Sequence, residues 1–462
     1  MTNGKKDSTG VDTIGGRPPS ESGQEAFSGL VNWMAVELKD KFKEEQAEWE
    51  SVRYNSIPEI VQFTQTAFVY GGEDEWREIF LQTLHSIITG QIYSRVKEEE
   101  KQPPWPENPV FEKMLIDNSR LPALLLTAYQ LTGDTDLRGS AQDVLNNLVG
   151  NLYLPQLKGW GLPGDMQQKS YFFSLEPALK KSINNTSRLH VTWNAFTAHS
   201  LFQSSTYLAE PHWYNLALQT VHMLMENCYN PSKGMAGFWD TESKNPGEWG
   251  LLENQVSAGL ALNAAFQHSG DKKWLELSRK LAEYCLKNLS PGKGRMRRGD
   301  PGGKRTKDDE SLEVLSNSLC ARWFVELSAL TGEEAYLEKS ADIIRSFQEE
   351  LMEHPFKGVG MFLAAFETRE QEVVIDVVGY PEAPGLLPLH STALAAVMPP
   401  KVVRIMDPRQ AGAVNSDYEG VEEATAFVNL GKRRYYPVHS PDKLREVMKE
   451  AVMERRAETL FS

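Results

Sequence analysis

Four carboxylates, Glu112, Asp117, Glu253 and Asp309, lie in or beside long polar connections of the chain. The same regions hold the indoles of Trp160, Trp193 and Trp239 and the amides of Asn118, Asn194, Asn254 and Asn317. Two carboxyl groups facing one pocket divide acid and base work, an indole stacks on the C–H face of a sugar ring, and side-chain amides bond hydroxyls. Together these residue types suit a small polyhydroxylated ligand. The four carboxylates are then candidate acid/base groups, and the tryptophans and asparagines candidate substrate contacts. Spacing adds to type: Asn118, Asn194 and Asn317 each stand 15 residues before a turn landmark, and Asn254 stands 16 before one, beside Gln255. Asn is also a favoured helix N-cap, so capping and ligand contact are both open to these amides.

The elements that must position these residues come from an internal repeat. GEDEW (Gly72 to Trp76), GDTDL (Gly133 to Leu137), AEPHW (Ala209 to Trp213), GDKKW (Gly270 to Trp274) and GEEAY (Gly332 to Tyr336) recur at intervals of 61, 76, 61 and 62 residues. An apolar helix precedes each turn, as in LPALLLTAYQLTG (Leu121 to Gly133), and an amphipathic one follows, as in WLELSRKLAEYCLKNL (Trp274 to Leu289). A helix that is apolar all round needs burial on every side, whereas an amphipathic one needs it on a single face. Two concentric rings satisfy both, which predicts an (α/α)6 toroid, with a solenoid of stacked pairs as the alternative. The helix over about residues 24–49 and a terminal segment complete the sixth pair. Inner-to-outer turns take few residues, whereas the long outer-to-inner loops, with the candidate site residues, all fall at the end that carries the inner-helix N-termini.

Beyond about Phe356 the pattern changes. EVVIDVVG (Glu372 to Gly379), VVRIM (Val402 to Met406) and ATAFVNL (Ala424 to Leu430) read as strands, and residues 441–460 as a helix opened by a proline. The expected organisation is a disordered tail over residues 1–23, a toroid over 24–356 and a C-terminal α/β segment over 357–462.

The net charge of −14 argues against nucleic acid or an anionic membrane surface as partner. No apolar run reaches the length of a membrane span, and the first 23 residues have no signal-peptide core. Cys228, Cys285 and Cys320 lie far apart, which points away from a disulfide framework or zinc site and towards the cytoplasm. No cofactor and no metal are expected. The segment Gly292 to Lys307 holds seven basic residues and five glycines without P-loop spacing, so it reads as a solvated loop or an attractor for an anionic ligand. His190, near Trp193, is the one histidine expected at the mouth.

VFEKMLIDNSRL (Val110 to Leu121) followed by AYQLTGD (Ala128 to Asp134) resembles a signature of the thioredoxin-fused, six-hairpin-glycosidase-like family that includes the spermatogenesis-associated thioredoxin-like proteins. SRLHVTWNAF (Ser187 to Phe196), DDESLEVLSNSL (Asp308 to Leu319) and the stretch Ala424 to Val447 are similar to later family motifs in the same order. The resemblance runs over about residues 55–450. It implies an (α/α)6 toroid of the kind shared with glycosidases and N-acylglucosamine 2-epimerases. The family's N-terminal thioredoxin-like domain has no counterpart in this sequence. Val110 stands where the family has a histidine, Glu253 and Asn254 stand where it has paired aspartates, and the closing cysteines are replaced. Glu112, Asp117, Trp193, Asn194 and Asn317 match.

Two functions remain: a hydrolase or epimerase acting on a small sugar-like ligand, including an anionic one, at the toroid mouth, or a non-catalytic binding or scaffold protein that contacts a protein partner. Two carboxylates converging on an open pocket favour the first, and carboxylates locked into ion pairs with the basic segment favour the second.

Overall fold

The computed structural model describes residues 24–45, 57–88, 118–161, 188–299, 307–353, 358–370, 373–411, 418 and 420–458. The tail expected over 1–23 lies outside them. After α1 (Gln24–Glu45), inner and outer helices alternate. The pairs are α2 (Ile57–Gly71) with α3 (Asp74–Ile88), α4 (Leu121–Thr132) with α5 (Thr135–Asn147), α6 (Val191–Leu208) with α7 (Pro211–Cys228), α8 (Leu252–Ser269) with α9 (Lys272–Asn288), and α10 (Lys307–Thr331) with α11 (Glu334–Glu353); α12 (Val359–Glu370) comes last.

Each of α2, α4, α6, α8, α10 and α12 touches the next, and α12 returns to α2, so the inner helices form a closed ring of six. The fold is an (α/α)6 toroid. Its sixth outer position is filled by α1, which packs on α12 from the other end of the chain. The ring therefore extends to Glu370, beyond the boundary at 356 expected from the sequence. The reason is that α12 is an apolar inner helix whose amphipathic partner precedes the whole repeat.

Burial separates the two kinds of helix. α8 buries Val256, Ala258, Ala261, Leu262, Ala264, Ala265 and Phe266, almost all round, whereas α9 buries Trp274, Ser278, Leu281, Ala282 and Cys285 on one face. Glycine sets the closest approach: a Cβ on Gly259 would stand 2.2 Å from the Trp323 indole, which lies on the α8 backbone and donates to Ser278 Oγ at 3.0 Å. The repeated turns share one geometry. Gly72, Gly133, Gly270 and Gly332 take φ of 72–78°, and Ala209 takes 56° at the equivalent place. Asp134 and Asp271 then cap the following helices by accepting from the N–H of Asp136 and Lys273.

Short hairpins occupy the outer-to-inner connections. β1 (Tyr153–Leu154) pairs with β2 (Gly159–Trp160); among β3 (Arg188–His190), β4 (Tyr229–Asn230), β5 (Gly234–Met235), β6 (Phe238–Asp240) and β7 (Asn245–Gly247), β6 lies between β3 and β7, and β4 pairs with β5. The C-terminal unit is a sheet of β8 (Val373–Val378), β9 (Lys401–Met406), β10 (Thr425–Leu430) and β11 (Arg433–Arg434), in the order β11-β10-β8-β9. β8 and β9 run parallel, with Val373 opposite Lys401, and β10 runs antiparallel to β8, with Thr425 opposite Val378. Val373, Ile375, Val377, Val403 and Val428 on one face pack with Leu389 of α13 (Leu386–Ala395) and with Leu444, Val447 and Met448 of a C-terminal helix, Pro441–Glu458. That unit is fastened to the ring at several points. Arg456 donates to Val69 O at 2.6 Å, His390 to Gln267 O at 2.7 Å, and the Val403 N–H to Gln267 Oε1 at 2.9 Å.

Candidate functional site: an axial cavity beneath the C-terminal unit

At the inner-helix N-termini, the amides spaced 15 residues before the turns share one task. Asn194 accepts from the Trp160 N–H (2.8 Å) and donates to the Trp160 and His190 carbonyls. Asn317 treats Met296 in the same way, accepting from its N–H (2.7 Å) and donating to its carbonyl and to that of Glu313. In the fourth repeat this role falls to Gln255, which holds Met235 N–H and C=O and the Leu251 carbonyl. Each amide thus clamps one residue of the preceding loop and bonds the carbonyl four residues before it, which for Asn194 and Gln255 closes the first turn of the helix. The neighbouring Asn254 is buried and accepts from the Thr192 hydroxyl at 2.8 Å, and Asn118 is buried as α4 is approached.

The expected aromatic platform is dispersed. Trp160 is fully buried, with its indole N–H on Thr220 Oγ1 at 2.8 Å, so no ring face is open. Trp193 is half-buried against the His190 ring, 4.3 Å between centroids, and Trp239 is half-buried on β6 opposite Leu189. Of the expected carboxylates, Glu112 and Asp117 lie outside the described residues, and Asp309 falls in the first turn of α10. Glu253 is tied to Arg298 at 2.8 Å. Burial raises its carboxyl above the usual range, against the pull of that guanidinium.

Arg298 belongs to the basic segment, whose described part, up to Gly299, forms a fixed strap. Arg295 donates to Ser346 O (2.7 Å) and Glu350 (3.3 Å) and stacks 3.9 Å over Phe347, and Leu252 N–H bonds to Arg298 O (2.6 Å). Both guanidiniums are engaged within the protein.

Side chains meet instead on the ring axis, contributed by all six inner helices. On otherwise apolar helices, polar residues recur at one-turn spacing: Gln62 and Thr66 on α2, His199, Gln203 and Thr206 on α6, Arg322 and Glu326 on α10, with Glu367 on α12. Apolar surroundings make each of these costly unless partnered or wetted, and this recurrence is the signal in the sequence that points to them. They line a cavity of about 220 Å³ whose floor is the segment Leu394–Lys401 of the C-terminal unit.

The cavity holds an ordered set of charges. Arg322 donates through Nε and Nη2 to Glu367 at 2.9–3.1 Å, and through Nη1 to Gln62 Oε1 at 2.9 Å. Glu326, one turn further along α10, accepts from Gln267 Nε2 at 2.6 Å and Asn263 Nδ2 at 3.2 Å. Burial, with the Glu367 charge adding to it, pushes the Glu326 carboxyl up to about 7. Burial and the guanidiniums of Arg120 and Arg322 push the His199 imidazole down to about 4. His268 donates from Nδ1 to Ala264 O and accepts from Thr206, and burial brings it down to about 3. At the floor, Lys401 Nζ donates to the carbonyls of Ala393, Leu394 and Ala396 at 2.6–2.9 Å, the C-terminal end of α13. Near neutral pH the cavity therefore offers a carboxyl that gives up or takes a proton and a neutral imidazole that can accept a hydrogen bond. Among the described residues, no group of three or more His, Cys, Asp or Glu is placed to hold a metal ion, and no helix is long and apolar enough to cross a membrane.

Comparison with known proteins agrees with both the fold and the resemblance. No family model matches the chain. Spermatogenesis-associated protein 20 of Rattus norvegicus is 24% identical over 239 residues, and that of Homo sapiens 24% over 241; each match takes in 49% of this chain and 30% of the relative. The matched stretch is thus less than a third of those relatives' own length. Among solved structures, the unsaturated glucuronyl hydrolase of Bacillus sp. GL1 superposes with a TM-score of 0.53 at 11% identity, over 74% of this chain and 96% of that one. An α-1,6-mannanase variant of Salegentibacter sp. HEL1_6, in complex with α-1,6-mannotetrose, gives 0.52 at 13%, over 74% and 99%. At these identities the likeness is one of fold, the six-hairpin glycosidase-like toroid.

Proposed function

We propose that this protein binds and processes a compact sugar-like molecule in the axial cavity, by proton chemistry of the hydrolase or epimerase type. The observation that carries the reading is the convergence of Gln62, His199, Gln203, Arg322 and Glu326 from three inner helices on one cavity that the C-terminal unit helps to line. Its volume, about 220 Å³, falls below the roughly 300–1,000 Å³ of sites for drug-sized ligands, which fits a single ring. Glu326 is the group that gives and takes the proton in this reading, the neutral His199 ring a hydrogen-bond acceptor for a hydroxyl, and Gln203 a second hydroxyl partner. Glu112, Asp117 and Asp309 keep their proposed acid/base roles at the mouth.

A second reading, a binding protein without catalysis, is favoured by one observation: Glu253, one of the mouth carboxylates, is held in an ion pair by Arg298 of the basic strap. Buried, unpaired Cys228, Cys285 and Cys320 support a cytoplasmic location under either reading. The test is a thermal-shift screen against monosaccharides and polyols. A ligand of the folded state raises the melting temperature, and Ala264→Phe, which puts a ring into the cavity, abolishes the rise. No rise with any sugar, together with a tight protein partner, would favour the second reading.

A further inference from the structure

Resting on that reading, we infer that the axial cavity selects uncharged polyhydroxylated molecules and rejects their phosphorylated and uronate counterparts. The argument is the state of each cation that lines it. An anion leaving water needs charged donors that are not already committed, since burying it without them costs several kcal/mol.

Arg322 has Nε and Nη2 on Glu367 and Nη1 on Gln62. Lys401 spends three donors on the carbonyls that end α13, where the helix dipole already favours its charge. His199 and His268 are both neutral at physiological pH, the first through burial and two neighbouring guanidiniums, the second through burial. Against Arg322 and Lys401 stand Glu367 and Glu326, so the lining is neutral with both carboxyls ionised; burial that brings Lys401 down to about 7 limits the positive charge left when Glu326 takes up a proton. Apart from the remaining N–H donors of Arg322, whose charge is met by Glu367, the groups left to address a ligand are neutral or acidic: the Gln203 amide, the His199 ring and the Glu326 carboxyl. Hydroxyls both donate and accept, and they satisfy that set without bringing charge into the ring. An added phosphate or carboxylate would face Glu326 and Glu367 with no cation among the described lining residues that is not already paired with a carboxylate or held by carbonyls.

Calorimetric titration with inorganic phosphate, and with glucuronate beside glucose, tests the inference on the whole chain. The wild type is expected to take up neither phosphate nor glucuronate, and any hexose it binds is favoured over the matching uronate by at least about tenfold. Glu367→Gln releases the Arg322 guanidinium and is expected to gain phosphate binding, which the added Ala264→Phe change abolishes. Circular dichroism melting establishes that the variants are folded, and a folded second variant, Glu326→Gln, checks the same gain by removing the other carboxyl. Phosphate or glucuronate binding by the wild type that Ala264→Phe abolishes would overturn the inference, as would folded Glu367→Gln and Glu326→Gln variants that still refuse phosphate. The phosphate arm needs no sugar, so a failed sugar screen would count against the proposed function alone.

Discussion

Glu326 is the residue whose chemistry is most open to measurement. Its carboxyl is raised from 4.5 to about 7, chiefly by burial, so the native chain keeps a proton that the unfolded chain gives up above about 4.3. The resulting stability is fully present below that value and is lost as pH rises through about 7, a change on the order of 3 kcal/mol. Urea titrations from pH 5 to 8 should show the stability difference between wild type and Glu326→Gln shifting in favour of the variant as pH rises; a pH-independent difference would contradict the raised carboxyl. His199 works the other way. Its imidazole is held down at about 4, so its contribution is lost as pH falls from about 6.5 towards 4. The amide clamps make a separate case: Asn317→Ala leaves the Met296 N–H and C=O without their partner, with an expected loss of about 2–3 kcal/mol by chemical denaturation. The sequence shows where these amides stand, because the 15-residue offset repeats. It does not show that their partners are loop backbone groups, since those loops have no repeat of their own.

For the elements, the turns were legible residue by residue, because Gly followed by an acidic residue is what a helix stop and a new N-cap require. The AEPHW turn puts Ala209 at φ 56°, where an L-residue pays about 1–2 kcal/mol. Ala209→Gly should therefore stabilise the fold by about 0.5–1 kcal/mol, net of the entropy of the added glycine, and raise the melting temperature. Gly270→Ala should do the reverse, by more than 1 kcal/mol: its φ is 72°, and its Cβ would stand 2.6 Å from Ile405 Cγ2 on β9. Equal melting temperatures for the pair of variants would contradict this account of the turns. The C-terminal strands were legible from β-branched runs. The end of the ring at Glu370 was not: the pairing of the N-terminal helix with a terminal segment is expected from the repeat, but α12 is followed by none of the repeat's turn landmarks to mark where it ends.

In the molecule as a whole, the alternation of apolar and amphipathic helices predicts the toroid, and the long loops predict a site at the mouth. The described residues place the polar convergence towards the other end, under a floor that belongs to a different layer of the chain. Glu326, Gln267 and Val403 explain why that was hidden. A strand read only as part of an appendage reaches through one glutamine to the carboxyl on the ring axis. Each residue looks, by itself, like an isolated polar group on a buried helix, and only ring closure brings them together. The most direct test of the account is a calorimetric titration of one neutral sugar, taken from the thermal-shift screen, into wild type, Ala264→Phe and Trp193→Ala. An axial site predicts that binding is lost at least about tenfold in Ala264→Phe and retained in Trp193→Ala, whereas loss in Trp193→Ala with wild-type affinity in Ala264→Phe would place the ligand at the loop-bearing mouth and contradict it.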